Sequence, residues 1–316
     1  MVVAQTVGRS VRVLLLFLMA SVALPAANYF AIVSGLGGAP EYDTQFAKWA
    51  QDLEKELKTN PDASVILLSG SSASKQQVEQ MLNKIAGESS ATDTFALFLI
   101  GHGSFDGTDY KINLPGPDMT AGELAKGLNH IPARRQLVVN MTSCSGASLA
   151  ALVRKDRVVI TATKSGTEKN APVFARYWVD ALHDPGADTD KNGSISALEA
   201  FRYAERKTVS YFEEEKLLAT EHAQMTDTAN PTAVRDPKPE NGQGLVAASF
   251  ILIRQQTEGG KTLSAEKQRL VAKKEELEAK IDRLKYEKAA LEEKDYKQQL
   301  TALLLELART QAEIDR

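Results

Sequence analysis

The sequence predicts an α/β domain built on a mostly parallel sheet with helices on both faces. From Asn28 to about Leu182, apolar runs of strand length alternate with amphipathic helical stretches, which is the pattern of such a sheet. The strand candidates are apolar throughout, as expected of strands buried on both faces. With 316 residues, 43% of them hydrophobic, the chain can bury a full core. We expect one large domain over residues 28–256 and an appendage over 257–316.

The N-terminal segment, residues 1–27, has the pattern of a secretory signal peptide. Arg9 and Arg12 precede an apolar run from Val13 to Leu24, and small residues follow it, as in exported proteins. The run is shorter than the roughly 20 residues that span a bilayer. We therefore expect export to the periplasm or extracellular space, with no transmembrane span after signal removal. An uncleaved anchor is the alternative, and several small-residue pairs compete as the cleavage site.

Six strands are expected in the large domain, each rich in Val, Ile, Leu or Phe. They are Tyr29–Ser34, Ser64–Ser69, Thr94–Ile100, Gln136–Met141, Arg157–Thr163 and Leu245–Ile253. Between the first two, Phe46, Trp49 and Leu53 recur at helical spacing and should pack on the sheet. A later helix is expected to begin at Thr120, because Thr120 and Glu123 have the spacing of a capping box.

Residues 188–199 match the twelve-residue calcium loop at its diagnostic positions. The expected ligands are Asp188, Asp190, Asn192, Ser194, Ser196 and Glu199. Side-chain oxygens, one main-chain carbonyl and a final bidentate glutamate are what Ca²⁺ takes in such loops, and Gly193 stands where the loop must turn sharply. Helical patterns flank the loop. We expect a structural Ca²⁺ that braces the domain, and the alternative is an acidic turn without metal.

The C-terminal part has two distinct patterns. Residues 226–243 contain three prolines, two asparagines and a glycine and are expected to form a flexible loop. Leucines then recur every seven residues among Lys and Glu, at Leu263, Leu270, Leu277, Leu284 and Leu291. The register slips near Asp295, where a second apolar series begins. The pattern predicts a coiled coil or a helical hairpin over 257–316, with self-association through 261–316.

Two chemically active side chains come directly after apolar strands. His102 follows the strand Phe95–Ile100, and Cys144 lies in the polar turn that follows Leu137–Val139. Loops at the carboxyl ends of parallel strands form the functional edge of such sheets. A thiol becomes a nucleophile when an imidazole accepts its proton. The N–H groups of Gly103 and Cys144 are expected to form an oxyanion hole.

The remaining candidates for chemistry are weaker. Cys144 is the only cysteine, so an exported chain would keep a free thiol where disulfides usually form. The alternative for Cys144 is a small buried hydrophobe without chemistry. His130, His183 and His222 lie at helix ends or in a polar stretch and are expected to be structural or solvated.

The two strand ends resemble those of the caspase and legumain clan of cysteine peptidases, and are nearest to bacterial legumain-like proteins. An apolar strand ends in His-Gly, and a later one ends in a cysteine followed by Ser-Gly-Ala-Ser. The resemblance implies a caspase-like three-layer sandwich with strand order 2-1-3-4-5-6. It also implies His102 as general base, Cys144 as nucleophile and the Gly103 amide in the oxyanion hole. No acid or amide is evident as a third member.

Thr142 departs from the pattern of this clan. The residue two before the cysteine lines the specificity pocket there, typically as Glu in legumains or Gln in caspases. Thr142 stands at that place, and its short neutral side chain cannot recognise an amide or a carboxylate in the same way. Thr142 is thus a substrate-pocket candidate without a predicted preference for Asn or Asp.

The main functional hypothesis is an exported cysteine endopeptidase, braced by calcium, that acts on protein or peptide substrates. The alternative is a calcium-binding, catalytically silent envelope scaffold that oligomerises through its C-terminal helices. A third possibility is that these helices cap the active site. The formal net charge of −3 gives no general attraction to nucleic acid or anionic membranes, so neither is an expected partner.

Overall fold

The computed structural model describes residues 26–315, apart from residues 61, 255, 256, 259, 260 and 263. The expected signal peptide, residues 1–27, therefore lies almost entirely outside the described residues. In the described part of the chain, no helix is both long and apolar enough to cross a bilayer.

The secondary structure alternates between strands and helices over most of the chain. The strands are β1 (Asn28–Ser34), β2 (Ala63–Leu68), β3 (Thr94–Gly101), β4 (Gly103–Phe105), β5 (Tyr110–Ile112), β6 (Met119–Thr120), β7 (Arg135–Thr142), β8 (Arg157–Thr161), β9 (Ser194–Ser196), β10 (Gln224–Thr226), β11 (Ile251–Arg254), β12 (Thr257–Glu258) and β13 (Lys261–Thr262). The helices are α1 (Pro40–Leu57), α2 (Lys75–Glu88), α3 (Ala121–His130), α4 (Leu149–Leu152), α5 (Phe174–Ala181), α6 (Ala197–Glu214), α7 (Leu245–Ala248), α8 (Ala265–Glu287) and α9 (Glu293–Ile314).

The central sheet has six strands in the order β2-β1-β3-β7-β8-β10. The first five run parallel, whereas β10 is antiparallel to β8. The fold is thus the expected α/β class with a mostly parallel sheet. The strand order, 2-1-3-7-8-10, differs from the expected 2-1-3-4-5-6, because the short strands β4, β5, β6 and β9 lie outside this sheet.

The sixth strand was assigned wrongly, since β10 and not Leu245–Ile253 occupies the sheet edge. The first half of that apolar segment forms the short helix α7, and the second half forms β11, which pairs with β9. Asp227 explains the change, because its carboxylate accepts the N–H groups of Gly244, Val246 and Ala247 at 2.8–3.2 Å. A carboxylate at free N–H groups favours a helix start over an extended strand.

Helices cover both faces of the sheet, as predicted. Buried side chains of α1, α5 and α6 form the core on one face. Those of α2, α3 and α4 form the core on the other. The expected stripe of α1 is buried, including Phe46 and Leu53. The capping box at Thr120 and Glu123 is present at the start of α3.

Helices α8 and α9 lie side by side as a hairpin, which is one of the two forms expected for this region. Lys273 near the middle of α8 pairs with Glu306 near the middle of α9 at 3.1 Å. Only residues 288–292 connect the two helices, so they run antiparallel. Two leucines of the heptad series on α8 are buried, Leu277 and Leu284, and Ile281 between them is buried as well. Helix α8 also contacts the large domain through Tyr286, whose hydroxyl donates to the Gln243 carbonyl at 2.5 Å.

The segment 226–243, expected to be a flexible loop, makes several contacts of its own. Val234 pairs with Met225 through two main-chain hydrogen bonds of 2.8 and 2.9 Å. The Gln243 side chain donates to the Thr232 carbonyl at 3.0 Å. The first contact ties the middle of the segment to β10, and the second links the end of the segment back to its middle.

Candidate active site

The ends of β3 and β7 bring the two predicted side chains to one edge of the sheet. These parallel strands are neighbours, and Gly101 lies opposite Thr142 in their register. His102 follows Gly101 directly, and Cys144 is two residues beyond Thr142. The sequence correctly placed both residues at the carboxyl edge, because each follows the last residue of its strand.

The His102 imidazole lies against α1 and is half-buried. Its ring centroid is 5.4 Å from that of Tyr42 and 5.3 Å from that of Phe46, both in edge-to-face contacts. Burial lowers the pKa of His102 below its ordinary value, while a hydrogen bond to the Gly37 backbone and the charge of Asp43 act in the opposite direction. The net effect favours the neutral imidazole, which is the form that accepts a proton.

Asp43 holds the loop beside His102. Its carboxylate accepts the Gly37 N–H at 2.6 Å. Gly37 has no room for a side chain, because a Cβ there would lie 2.3 Å from the Asp43 nitrogen. Sequence analysis found no third member for the pair. The structure supplies a backbone contact from Gly37, supported by Asp43, and no sequence pattern indicated it.

Cys144 lies in a constrained turn and is only 2% exposed. Its φ of 57° is in the left-handed region, which residues other than glycine rarely adopt. Burial raises the pKa of the Cys144 thiol, and the charge of Lys169 and a hydrogen bond from the Phe105 backbone oppose that rise. At neutral pH the thiol is therefore protonated, and it needs a base to become a nucleophile.

Ser143 stands between the two predicted catalytic residues. The His102 Nδ1 atom is 3.4 Å from Ser143 Oγ. Among the hydrogen bonds of the described residues, none joins the His102 ring to the Cys144 thiol. The structure thus places the histidine and the cysteine on adjacent strand ends, with a serine hydroxyl in contact with the base.

Neither amide expected in the oxyanion hole is free in this structure. The Gly103 N–H donates to Ser143 Oγ at 3.1 Å, and that hydroxyl donates in turn to the Gly103 carbonyl at 2.9 Å. The Cys144 N–H donates to the Glu168 carbonyl at 2.8 Å. The prediction of an oxyanion hole formed by both amides must be corrected, because the Cys144 amide fixes its own turn.

Thr142 does not line an open pocket, contrary to the expectation for a substrate-contacting residue. It is fully buried, and its hydroxyl lies 2.6 Å from the Tyr110 hydroxyl and 2.8 Å from Asn140 Oδ1. Burial raises the pKa of Tyr110 to about 12, so its hydroxyl stays neutral. Tyr110 on β5 thus covers the position that the resemblance assigned to specificity.

His222, expected to be structural or solvated, lies next to the candidate site and is bonded to a buried carboxylate. It precedes β10, which is antiparallel to β8 and therefore begins at the carboxyl edge of the sheet. Its Nδ1 atom makes a short hydrogen bond to the Glu168 carboxylate. No sequence pattern indicated this pair, because a sixth strand at Leu245–Ile253 leaves His222 without a place in the sheet.

The predicted calcium loop brings its acidic residues together. Carboxylate oxygens of Asp188, Asp190 and Glu199 all lie within 4.8 Å of one another. Gly193 has a φ of 85°, as the sharp turn of the loop requires. Burial raises the pKa of Asp190 to about 6, with further contributions from the charges of Glu199 and Asp188. Three carboxylates at this spacing form a donor set that suits a hard divalent cation.

The other predicted ligands follow the same loop into α6. Asn192 Oδ1 accepts the Ser194 N–H at 2.8 Å. Ser196 is the N-cap of α6 and forms a capping box with Glu199, whose carboxylate accepts the Ser196 N–H at 3.0 Å. Glu199 therefore has a structural role at the helix start in addition to its place in the acidic group.

Helix α8 adds carboxylates to the outside of this loop. Glu275 accepts the Ser194 hydroxyl at 2.9 Å, and a Glu278 oxygen is 3.5 Å from Asn192 Nδ2. Residues of the loop and of α8 together line a cavity of about 550 Å³. Burial raises the pKa of Glu278 to about 7; Lys274 opposes the rise, and Asp190, Glu275 and Asp282 add to it.

The hairpin lies far from Cys144, so the structure does not support the idea of a cap over the active site. The cavity beside α8 is lined by Arg135, the first residue of β7. Thr142 is the last residue of the same strand, and seven residue steps at about 3.3 Å each separate the two by roughly 23 Å. Helix α8 thus packs at the opposite edge of the sheet.

No protein-family model and no curated protein matches the sequence. Protein GSU0716 from Geobacter sulfurreducens is similar in structure, with 13% sequence identity and a TM-score of 0.45 over 70% of this chain and 97% of that chain. The Drosophila initiator caspase Dronc is similar with 11% identity and a TM-score of 0.39, over 58% of this chain and 72% of that chain.

Proposed function

We propose that the chain is an exported cysteine endopeptidase with a caspase-like fold, in which Cys144 is the nucleophile and His102 the general base. The observation that carries the proposal is the position of these residues directly beyond the ends of the adjacent parallel strands β3 and β7. The site lies at the edge where open parallel sheets place their catalytic groups.

Burial determines the protonation states of Cys144 and His102 before the reaction. Burial favours the neutral thiol of Cys144 and the neutral imidazole of His102. The imidazole would take the thiol proton as sulfur attacks the peptide carbonyl carbon, and would then give that proton to the departing amine. A thioester on Cys144 remains. Water, deprotonated by His102, would attack the thioester, release the acid and restore the thiol.

Ser143 must move for this reaction to proceed. In the resting structure its hydroxyl occupies both His102 Nδ1 and the Gly103 N–H. A substrate carbonyl oxygen would replace the Ser143 hydroxyl as the acceptor of the Gly103 N–H. As this oxygen becomes an oxyanion, it binds the N–H more strongly than a neutral hydroxyl does. The displaced hydroxyl would also leave the His102 ring open to the thiol. Substrate binding is thus the step that assembles the site.

We propose protein or peptide substrates in the periplasm or the extracellular space, without the specificity of legumains. Thr142 is covered by Tyr110 and bonded to Asn140, so it offers no group to a substrate side chain. The loops around the Cys144 turn would therefore determine which substrate side chains are accepted. A peptide library would therefore report a preference set by these loops rather than a strict requirement for Asn or Asp.

Calcium belongs to the proposal as a structural ion. Asp188, Asp190 and Glu199 would supply carboxylate oxygens, with further ligands from Asn192, Ser194 and Ser196. A divalent cation would offset the mutual repulsion of the three carboxylates. The loop joins α5 to α6, and both helices pack on the sheet. The ion would thus fix the angle between two core helices.

A single labelling experiment tests the peptidase. The mature protein would be treated with a peptidyl ketone that alkylates cysteine nucleophiles, alongside cleavage of a peptide library. Cys144→Ala should abolish labelling and cleavage, and His102→Ala should reduce cleavage by about a hundredfold or more. His183→Ala, an exposed histidine outside the site, serves as the matched control and should behave like the wild type.

A catalytically silent calcium-binding scaffold is the second candidate. Both expected oxyanion donors are engaged internally, and Thr142 is closed off by Tyr110. If the folded wild-type protein neither labels nor cleaves at any pH from 5 to 9, this scaffold replaces the peptidase. Self-association through 261–316 would then be its expected activity, measured as oligomer size in solution.

A further inference from the structure

The pair formed by Glu168 and His222 is the part of the site that the mechanism above leaves unused. Glu168 is only 9% exposed, and its carboxylate bonds His222 Nδ1 and the Lys164 N–H, the latter at 2.9 Å. Removing a carboxylate from water is energetically unfavourable. A buried Glu168 carboxylate that is paired with an imidazole next to the nucleophile therefore suggests a function beyond packing. Its main chain contacts Cys144 directly.

We propose that Glu168 and His222 are positioning residues that hold the Cys144 turn for nucleophilic attack. This inference rests on the proposed peptidase function. The pair does not touch the reacting atoms, and it acts through the Glu168 carbonyl, which accepts the Cys144 N–H at 2.8 Å.

The Cys144 turn needs such support because its backbone is strained. A left-handed φ at a residue with a Cβ is unfavourable, and it persists only where surrounding contacts fix it. Two main-chain hydrogen bonds do so here. One runs from the Cys144 N–H to the Glu168 carbonyl, and the other from the Ala147 N–H to the Cys144 carbonyl at 3.0 Å.

The Glu168 main chain is fixed in turn by the Glu168 side chain. Residues 163–168 form the loop after β8, and a loop carbonyl keeps its position only if the loop is tied down. The Glu168 carboxylate ties the loop to His222, and Gln224 Nε2 ties it again by donating to the Lys164 carbonyl at 3.1 Å. His222 and Gln224 are held at this edge because β10 pairs with β8.

The charged groups around the pair are few. Lys164 Nζ is 3.7 Å from the Glu168 carboxylate on the outer side. Glu221 precedes His222, but its carboxylate points away and accepts the N–H groups of Val173 and Phe174 at 2.8 and 3.0 Å. The imidazole of His222 is therefore the side-chain hydrogen-bond donor that links the Glu168 carboxylate to the sheet edge.

The test compares two substitutions of His222 that differ in one hydrogen bond. His222→Asn keeps an N–H donor close to the position of Nδ1, whereas His222→Ala removes it. We expect kcat/KM for a peptide substrate to fall by about ten- to a hundredfold in His222→Ala, with KM nearly unchanged, and to recover most of its value in His222→Asn. His130→Ala, a change at an exposed histidine on the far end of α3, is the matched control.

A second readout separates this inference from the peptidase itself. The rate at which iodoacetamide alkylates Cys144 needs no substrate, and it should rise severalfold in His222→Ala because the 2% exposed thiol is no longer held inside its turn. His222→Asn should alkylate at the wild-type rate. If the wild type cleaves no peptide, the peptidase proposal fails, while this difference in alkylation still supports positioning.

Two results would overturn the inference. One is equal alkylation and equal kcat/KM in the wild type and His222→Ala. The other is an equal loss in His222→Ala and His222→Asn that follows their loss of thermal stability, because a merely structural residue would give that result.

Discussion

Ser143 joins the two strand ends that carry the candidate catalytic residues. Its hydroxyl accepts the Gly103 N–H, donates to the Gly103 carbonyl and lies 3.4 Å from His102 Nδ1. This close approach needs a glycine at position 103. A Cβ there would lie 2.6 Å from both the Ser143 carbonyl oxygen and the Tyr110 ring, closer than real Cβ contacts permit.

Substitution of Gly103 should therefore damage both fold and function. We expect Gly103→Ala to lower the free energy of unfolding by about 1–3 kcal/mol, because overpacking forces backbone shifts, and to abolish labelling of Cys144. Gly122→Ala is the matched control, since nothing lies within 4 Å of a Cβ on that α3 residue. Equal denaturation midpoints for the two variants would contradict the close approach described here.

The reactivity of Cys144 should rise with pH through a midpoint above that of an ordinary cysteine. Burial raises the pKa of the thiol, and alkylation requires the thiolate,. The alkylation rate measured from pH 6 to 10 gives the midpoint. Lys169→Ala should move it higher still, because the lysine charge lowers this pKa. Lys126→Ala, at an exposed lysine on α3, should leave it unchanged.

At the scale of elements, the start of α5 holds a buried carboxyl group. Glu221 accepts the N–H groups of Val173 and Phe174 at the first turn of the helix. Burial nevertheless raises the pKa of Glu221 to about 8, well above its ordinary value; the two backbone hydrogen bonds oppose this rise, and the charge of Glu168 adds to it. The folded state therefore holds a proton there that the unfolded state releases at lower pH.

The stability of the fold should fall as pH rises through this range. A raised carboxyl pKa contributes stability that is fully present below the unfolded-state value and is lost as pH passes through about 8,. We expect the melting temperature to decrease from about pH 5 to pH 9, and Glu221→Gln to remove part of that decrease. Glu215→Gln, at the exposed end of α6, should show the same decrease of the melting temperature with pH as the wild type.

Helix α8 and the calcium loop form a second pair of elements whose charges are coupled. The Glu278 carboxylate lies beside Asn192. Burial raises its pKa to about 7, and the charges of Asp190, Glu275 and Asp282 add to the rise. A bound Ca²⁺ would be attracted by the same charge. We expect Glu278→Gln to weaken calcium binding about fivefold or more, measured by calorimetry. Glu287→Gln, exposed at the far end of α8, should bind as the wild type does.

For the whole molecule, calcium should act as a stabilising ligand rather than as a catalytic one. A ligand that binds only the folded state at a hundredfold excess over its Kd adds about 2.7 kcal/mol. We expect the melting temperature to rise with calcium and to fall with a chelator, most strongly above pH 7, where Asp190 and Glu278 are ionised. A melting temperature indifferent to calcium at every pH would rule out the ion.

The scale of the whole molecule also separates the hairpin from the active site. Helix α8 contacts α7 and the loop before α6, at the edge of the sheet where the strands begin. His102 and Cys144 lie where the strands end. Any influence of the hairpin on catalysis would thus pass through α6 and the sheet, rather than by covering the site.

The sequence by itself determined the α/β class, the inner strands, the helix stripes and the positions of His102 and Cys144 just beyond the ends of adjacent strands. These features depend on local periodicity and on where each strand ends, and short stretches of sequence determine both. Only the tertiary structure decided that β10 is the edge strand, that His222 reaches Glu168, that Tyr110 covers Thr142 and that α8 faces residues 188–199. Those contacts join segments that are 32 to 86 residues apart, and their pairing depends on the packing of the whole core, which no local pattern encodes.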